Sequence, residues 1–308
     1  MEWSGKKFHS LNHYYRQKFS HKVIKVSLDA GFTCPNRDGK LSFDGCIFCS
    51  KKGSGDFAGD RNFDITSQFN KIRDTLKSKW HTAKYIPYFQ AYTNTYAPVD
   101  VLREKYYEAL NLPDVVGLSI ATRPDCLGDD VLELLEEIAS KTVLFVELGL
   151  QTADEDTAKF LNRRYDNAVF IEATKKLKNI GANVVCHIIL GLPNETKEDM
   201  LNTVKFAVEQ NIDGIKLHGL HVIKNTKLAD FYEQGKFELL TFTQYIDIIV
   251  SVLEIIPPHI VIHRLTGDGA REDLIAPLYS IKKFHILNGI DAALKDTYQG
   301  RNCNGTFC

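Results

Sequence analysis

The residues with the clearest chemical capacity are three cysteines in one short segment. Cys34, Cys46 and Cys49 are separated by eleven and then two residues, and Gly39 and Gly45 let the intervening chain turn tightly. Three thiolates can ligate three irons of a [4Fe–4S] cluster and leave the fourth iron open to a ligand that is not protein. A structural zinc ion normally takes four protein ligands, and no fourth ligand lies nearby with zinc-like spacing. Burial of the thiols is the third interpretation, and the number and softness of the ligands favour the iron–sulfur cluster.

The other four cysteines carry weaker signals. Cys126 and Cys186 are expected to be small buried side chains. Cys303 and Cys308 are too few to hold a second metal by themselves. We expect them to belong to a loosely ordered C-terminal tail, since chain ends are commonly loose.

The composition excludes several classes of protein. The chain has 308 residues, of which 44% are hydrophobic and 25% charged, typical values for a globular protein. With 38 basic and 39 acidic residues the net charge is -1, which rules out a globally basic nucleic-acid binder and leaves local basic patches open. The chain has no apolar run long enough for a membrane span, and residues 1–8 lack the apolar core of a signal peptide. A cytoplasmic protein is therefore expected, in which disulfides are rare.

The hydrophobic pattern predicts strands that alternate with helices. Short apolar runs typical of buried parallel strands occur at 23–28, 85–91, 115–121, 143–150, 183–190, 214–220 and 260–263. Helical spacing of apolar residues occurs at 64–79, 99–110, 129–140, 166–180, 197–210 and 243–255. Asp129 is expected to cap the third of these helices, and Gly181 to end the fourth.

This alternation predicts an α/β fold in which parallel strands form a partial or complete (β/α) barrel. A doubly wound sheet is the alternative, but the sequence has no strand followed by a GxGxxG turn and a helix. In a barrel the loops that follow the strands carry the chemistry, and the three cysteines follow the first predicted strand. We predict an N-terminal extension at 1–22, a barrel at 23–265 and a C-terminal helical extension with a tail at 266–308.

The N-terminal extension is locally basic. The first 27 residues contain six basic residues and one acidic residue, and four aromatic residues are interleaved with them at positions 8, 14, 15 and 19. Such a segment could contact phosphates and stack on bases of RNA. It could equally form an amphipathic helix that packs on the barrel and leaves its lysines in water.

Three further segments resemble the motifs of a known family. The three-cysteine loop is followed by Ser-Ile-Ala-Thr-Arg-Pro-Asp at 119–125, Glu-Leu-Gly-Leu-Gln at 147–151 and His-Ile-Ile-Leu-Gly-Leu-Pro at 187–193. Over residues 20–265 this pattern resembles the radical S-adenosylmethionine (SAM) superfamily, in the branch of Elp3 and oxygen-independent coproporphyrinogen oxidase. The first cysteine gap is longer than in the common CxxxCxxC form. That gap, together with the segments at 89–96 and 216–222, resembles the YhcC/YtqA family.

The resemblance implies a partial TIM-like barrel with cofactors at its mouth. It implies a [4Fe–4S] cluster on Cys34, Cys46 and Cys49, bound SAM, and a reductant such as flavodoxin or ferredoxin. By position in the family motifs it also implies a set of SAM contacts. These are Gln90, Thr93, Arg123, Glu147, Gln151, Arg163 and His187.

Individual positions in this set have competing interpretations. In related enzymes glycines occupy the segment that contains Gln90 and Thr93, so side chains would have to replace backbone contacts here. Arg163 stands where relatives have an arginine that faces the SAM carboxylate. Glu147 could instead form an ion pair inside the barrel, Arg123 could pair with Asp125, and His187 could be an ordinary core residue.

The implied activity is a tRNA modification. One branch of the resembled family, MnmL, acts on the wobble uridine and converts its 5-carboxymethylaminomethyl group to an aminomethyl group. The expected partner is then the tRNA anticodon loop, with Arg123, Arg264 or Arg271 as the cation that meets the substrate carboxylate. Radical chemistry on a small molecule or a protein is the alternative, and a non-catalytic iron–sulfur sensor is the third possibility.

Overall fold

A computed structural model describes residues 3–77, 79–267, 269 and 271–303 of the chain. Its main sheet contains seven parallel strands in the order β1-β2-β3-β4-β5-β6-β8. The strands are β1 (Val23–Leu28), β2 (Lys84–Phe89), β3 (Gly117–Thr122), β4 (Val143–Gln151), β5 (Asn183–Leu190), β6 (Gly214–Gly219), the short β7 (Val222–Ile223), β8 (Val261–Arg264) and the short β9 (Leu274–Ala276). The sheet curls into a partial barrel, which confirms the predicted fold class. All seven predicted strands are present, each within two residues of its expected bounds.

Helices cover the outside of the sheet. They are α1 (Leu11–Phe19), α2 (Ile65–Lys77), α3 (Val99–Leu110), α4 (Asp129–Lys141), α5 (Glu155–Phe160), α6 (Asn167–Asn179), α7 (Lys197–Glu209), α8 (Lys227–Glu233), α9 (Phe242–Ile255) and α10 (Lys283–Ala293). The six predicted helices correspond to α2, α3, α4, α6, α7 and α9. None of the helices in the described residues is long and apolar enough to cross a membrane.

Of the two predictions about helix ends, one is confirmed and the other is wrong. Gly181 has a φ of +78° directly after α6, which confirms that it ends this helix. The prediction that Asp129 caps α4 is wrong, because Gly128 occupies the cap position and Asp129 is the first helical residue. An acidic side chain in that first turn still interacts favourably with the helix dipole.

The N-terminal helix closes one end of the barrel. The sheet is open between β1 and β8, and the segment before α1 runs beside β8, where the Ile262 amide donates to the His9 carbonyl at 2.8 Å. Tyr15 of α1 is 3% exposed and packs against Phe145 and Val185 at the N-terminal end of the strands. The packed-helix interpretation therefore holds for α1: its buried aromatic residue seals the barrel, while Arg16 and Lys18 are exposed.

The C-terminal segment forms hydrogen bonds at the end of the barrel that α1 closes. Gln299 is fully buried, and its side chain accepts from the His9 amide at 2.7 Å. Its amide group donates to the carbonyls of Pro257 and Ile260, both at 2.8 Å. Cys303 is half-buried and its thiol donates to the Ile255 carbonyl at 3.6 Å, whereas Cys308 lies outside the described residues. The C-terminal extension thus ties the N-terminal segment to the loop before β8.

Replacing Gln299 with leucine should destabilise the protein by about 1–3 kcal/mol, because a buried amide and two buried carbonyls lose their partner. Guanidinium denaturation followed by circular dichroism measures the free energy of unfolding. Gln234→Leu is the control, since Gln234 is exposed and its replacement should cost less than about 0.5 kcal/mol. Equal effects of the two substitutions would contradict the fastening role of Gln299.

Candidate active site

Nine of the ten cluster ligands and SAM contacts predicted from the sequence line one cavity. The cavity has a volume of about 960 Å³ and extends along the inside of the sheet. The nine residues are Cys34, Cys46, Cys49, Gln90, Thr93, Arg123, Glu147, Gln151 and His187. They come together because most of them follow or close a parallel strand, and the carboxyl ends of parallel strands meet at one edge of a sheet.

The cysteine loop is held in place by side chains that are not ligands. Asn36 is fully buried, and its amide group donates to the Asn162 carbonyl at 2.7 Å and to Cys46 Sγ at 3.5 Å. Arg37 donates to the carbonyls of Cys49 and Ser50 at 2.6 and 2.8 Å. The loop also turns at glycine positions with positive φ, as the sequence indicated. The thiols are therefore presented to the cavity by a loop whose backbone is fixed on both sides.

The donor set fits an iron–sulfur cluster. Three thiols share one cavity wall, although no three Cys, His, Asp or Glu side chains in the described ranges converge as closely as a bound metal ion would require. Burial, together with the neighbouring Cys49, raises the pKa of Cys46 to about 12. A positively charged iron centre would stabilise these thiolates, since a coordinating thiol is deprotonated by the metal. Three soft ligands in a sheltered site match a cluster with one open iron.

The loop after β2 packs against the cysteine loop. Gln90 donates through its side-chain amide to the Ser54 carbonyl at 2.9 Å, and the Thr93 amide donates to the Thr33 carbonyl at 3.2 Å. Thr93 is buried and both residues line the cavity. Tyr92 has a φ of +62°, and its ring occupies the space above Gly53 that a Cβ there would enter. Bulky side chains thus fill the segment where related enzymes have glycines.

Arg123 pairs with a carboxylate and also faces the cavity. Its guanidinium donates to both carboxylate oxygens of Asp125, at 2.9 and 2.7 Å, so the salt bridge considered from the sequence is present. The same guanidinium lies over the Tyr165 ring, 4.8 Å from the ring centre. The Tyr165 hydroxyl donates to the Gly149 carbonyl at 2.5 Å and lies 3.2 Å from Gln151 Oε1. Gln151 stands beside it at the end of β4, where the strand bulges and φ is +64°.

Arg163 is the one predicted SAM contact that does not line the cavity. Its guanidinium is 1% exposed and donates to three backbone carbonyls and two side chains. These acceptors are Leu150 at 3.0 Å, Thr152 at 2.8 Å, Tyr165 at 2.8 Å, Asn167 at 3.1 Å and Glu155 at 3.3 Å. Its donors are used to hold the loop after β4, and its side chain is absent from the lining of the cavity. The adjacent Arg164 is exposed.

A buried polar cluster forms the layer beneath the loops. The Glu147 carboxylate is fully enclosed and forms ion pairs with Lys25 and Lys216. His187 Nε2 donates to the same carboxylate at 2.7 Å, and the Ser119 hydroxyl donates to it at 2.8 Å. The ion-pair interpretation of Glu147 is therefore correct. We call these five residues, together with Tyr88, the Glu147 cluster.

The two lysines of the Glu147 cluster were missed in the sequence analysis. The signal was present, because each lysine interrupts an apolar strand at a position whose side chain points inward: Lys25 in β1 and Lys216 in β6. A buried carboxylate in a neighbouring strand needs a cationic partner, so Glu147 indicated that such a residue must exist.

Burial sets the protonation of this cluster. Burial opposes the ionisation of Glu147, but Lys216 and Lys25 outweigh it and hold its pKa well below the usual range. Burial lowers the pKa of Lys216 to about 7, against the attraction of Glu147. Burial and the charge of Lys216 lower the pKa of His187 to about 4. At neutral pH the cluster therefore contains an ionised carboxylate and a neutral histidine, and Lys216 loses its proton more readily than an exposed lysine does.

Replacing Glu147 with glutamine should destabilise the fold by about 3–5 kcal/mol, because the change leaves buried ammonium groups without a counterion. Glu137→Gln is the matched control: this carboxylate also contacts two cations and a tyrosine hydroxyl, but its ion pairs lie at the surface. Thermal and denaturant unfolding should show a much smaller loss for Glu137→Gln. A Glu147→Gln variant as stable as the control would disprove the organising role of this carboxylate.

Sequence-family comparisons cover both halves of the barrel. The model of the Radical SAM superfamily matches residues 33–207. This range contains the three cysteines and all the strands and helices from β2 to β5, and it ends within α7. The model of the Radical SAM C-terminal domain matches residues 212–296, which include β6 and β8. The cavity is built from both matched regions.

Alignments with two individual proteins support the same family. The chain is 49% identical over 298 residues to YtqA of Bacillus subtilis (strain 168), a match that covers 96% of this chain and 92% of YtqA. It is 35% identical over 281 residues to YhcC of Escherichia coli (strain K12), covering 91% of this chain and 90% of YhcC.

A solved structure supports the fold. The archaeal Elp3 of Methanocaldococcus infernus, with residues 1–46 deleted, superposes with a TM-score of 0.65 at 19% identity. The match covers 87% of this chain and 63% of the Elp3 chain, so this chain spans less than two thirds of that relative. Because the family models cover the residues that build the cavity, and the alignments with YtqA and YhcC run through almost the whole chain, this protein belongs to the radical SAM superfamily and, within it, to the YhcC/YtqA family.

Proposed function

We propose that this radical SAM enzyme removes the carboxymethyl part of 5-carboxymethylaminomethyluridine at the wobble position of tRNA. The observation that carries the proposal is the charge of the cavity that holds the three cysteines. Seven cationic side chains and two anionic side chains line it among the described residues. The cations are Lys22, Lys25, Arg37, Arg123, Lys216, Arg264 and Lys283, and the anions are Asp56 and Glu147. Such a lining favours an anionic substrate.

The cofactor assignment follows the position of the thiols. Cys34, Cys46 and Cys49 would hold the [4Fe–4S] cluster, and SAM would lie against the loops that follow β2, β3 and β4. When bound, the cluster and SAM supply a 5′-deoxyadenosyl radical, which takes a hydrogen atom from an unactivated carbon, and an acceptor for one further electron. A reductant such as flavodoxin or ferredoxin would prime the cluster.

Four residues are the best candidates for SAM contacts. Gln90 and Thr93 border the cysteine loop, and Gln151 lies at the end of β4 in the lining of the same cavity. Arg123 interacts electrostatically with Cys34 and Cys46, so we assign it the carboxylate of SAM in place of Arg163.

We assign Glu147 and His187 a role other than the predicted contact with SAM. Both Glu147 oxygens are already bonded to the lysines, and His187 is bonded to Glu147. We therefore place these two residues in the floor of the substrate site.

The substrate carboxylate would meet Arg264. This residue lies in β8, faces the cavity and pairs in register with Lys216 of β6. A guanidinium can bind a carboxylate through two parallel hydrogen bonds, which would distinguish the carboxymethyl group from the trimmed product. Arg271, the other candidate from the sequence, is exposed and does not line the cavity.

An RNA substrate would approach the end of the barrel that carries the cysteine loop. Phe43 within that loop is 80% exposed, and Phe57, a few residues after it, is 55% exposed. Lys40 stands beside them in the sequence. Exposed aromatic rings next to cationic side chains suit splayed, single-stranded bases. The buried Tyr15 of the N-terminal extension is unsuited to this role, so the anticodon loop would contact the loops after β1.

The conversion of the substrate consumes one water and needs no oxidant beyond the radical and the electron acceptor that the cluster and SAM would supply. Loss of one hydrogen atom, one electron and one proton from the N–CH₂–COO⁻ unit leaves an imine, N=CH–COO⁻. Net hydrolysis of this imine breaks the carbon–nitrogen bond with its electron pair on nitrogen. The two hydrogens of one water complete the aminomethyl group, its oxygen becomes the aldehyde oxygen, and the two-carbon fragment leaves as glyoxylate.

Supplying the reconstituted protein with tRNA that carries the carboxymethylaminomethyl group, SAM and a reductant without oxygen should give 5-aminomethyluridine and glyoxylate in equal amounts. Cys34→Ala should abolish both products, because the cluster loses a ligand. Cys126→Ala is the matched control: Cys126 lies outside the lining of the cavity and its replacement should leave the yield intact. Nucleoside analysis by mass spectrometry reads the outcome. Formation of 5′-deoxyadenosine without any trimmed nucleoside would reject this substrate.

A further inference from the structure

Lys216 occupies an unusual position for a lysine. It is 6% exposed, yet it lines the cavity from the middle of β6. Its ammonium group pairs with Glu147, is bonded to the Tyr88 hydroxyl at 3.2 Å and lies 4.4 Å from the centre of the Tyr88 ring. A carboxylate and a phenol thus hold one amine at the wall of a substrate-sized cavity.

The charges around this amine are mostly positive. Each neighbouring strand contributes an ionisable group that faces Lys216 or acts on it. These groups are Lys25 of β1, Tyr88 of β2, Glu147 of β4, His187 of β5, His218 of β6, and His263 and Arg264 of β8. Burial lowers the pKa of Lys216 to about 7, and the cations Lys25 and Arg264 act in the same direction. A desolvated lysine beside other cations is a nucleophile at neutral pH.

We propose that Lys216 forms an imine with the carbonyl carbon of a small oxo acid, and that it takes this fragment directly from the modified nucleoside. The oxo acid is glyoxylate if the proposed function is correct, and to that extent the inference rests on it. Arg264 lies beside Lys216 in the sheet register and would bind the carboxylate of the fragment.

The exchange is balanced in atoms and electrons. The unprotonated Lys216 nitrogen adds to the N=CH–COO⁻ carbon, and its two protons move in turn through Glu147 to the leaving nitrogen. The bond between the carbon and the leaving nitrogen then breaks, with its electron pair on the aminomethyl group. Water hydrolyses the new Lys216 imine to glyoxylate and returns the amine. No oxidant is consumed in this exchange.

Lys25 is less suited to this role. Its ammonium group also pairs with Glu147, but it is bonded in addition to the Ser119 hydroxyl at 3.0 Å. It lies 5.2 Å from the centre of the Phe145 ring, which belongs to the apolar layer at the closed end of the barrel. We infer that Lys25 positions Glu147 and leaves Lys216 as the amine that reacts.

Trapping with a reductant tests the inference without the cluster, SAM or tRNA. The full-length protein is incubated with glyoxylate and sodium cyanoborohydride, which reduces an imine to a stable N-carboxymethyl-lysine. Peptide mapping should find this group on Lys216, formed on the order of 500-fold faster at pH 7.5 than on a lysine with the ordinary pKa of about 10.4, because the rate follows the neutral fraction. The exposed Lys18 provides the reference peptide. The rate at Lys216 should be half-maximal near pH 7 and level off about one unit above it, whereas the rate at a lysine of ordinary pKa should keep rising towards pH 10. Labelling of Lys216 no faster than of Lys18 would overturn the proposal.

Two variants separate the chemical role from a structural one. Lys216→Arg keeps the cation beside Glu147 but cannot form the imine, and Lys216→Met removes both. If Lys216→Arg melts like the parent protein and still forms 5′-deoxyadenosine with tRNA, release of glyoxylate should fall at least about 10-fold. An unchanged release rate would refute the proposal. Should Lys216→Arg be unfolded, trapping on the unmodified chain still decides.

The outcomes distinguish this inference from the proposed function. Trapping on Lys216 in a protein that leaves the tRNA nucleoside untrimmed would reject the tRNA substrate and retain the imine-forming lysine. Trimming of the nucleoside without trapping on Lys216 would retain the substrate and reject the lysine.

Discussion

The enclosed carboxylate of Glu147 is the interaction on which the rest of the site depends. An isolated charge at that depth would be strongly destabilising, and the two lysines and the histidine make it tolerable. The same contacts fix the inward residues of β1, β4, β5 and β6 relative to one another. Since these strands carry the loops at the barrel mouth, one buried charge cluster sets the positions of side chains that are far apart in the sequence.

The barrel interior is arranged in layers with different chemistry. At the closed end, Tyr15, Phe145 and Val185 form an apolar layer that α1 completes. The Glu147 cluster lies above it, and the cysteines and Gln151 lie at the open end. A radical needs seclusion from water, and a carboxylate substrate needs cations. The apolar base supplies the first condition and the lysine and arginine side chains of the cavity supply the second.

Much of this arrangement was predictable from the sequence, because buried parallel strands are short apolar runs and the chemistry follows their carboxyl ends. Arg163 was predicted to face the SAM carboxylate, and spacing along the chain does not reveal that its guanidinium donates to three backbone carbonyls. The short helices α5 and α8 escaped the periodicity argument because they span fewer than two full turns of pattern. Their caps, Asp154 and Thr226, were the available signal. The role of Tyr15 required knowing that the sheet stays open between β1 and β8.

The central claim is that the cavity brings the carboxymethyl group of the substrate to the radical. The most direct measurement uses tRNA whose carboxymethyl methylene carries deuterium in place of hydrogen. The account predicts that deuterium appears in 5′-deoxyadenosine as the nucleoside is trimmed, because the hydrogen atom is taken from that carbon. Trimming accompanied by 5′-deoxyadenosine that contains no deuterium would contradict it.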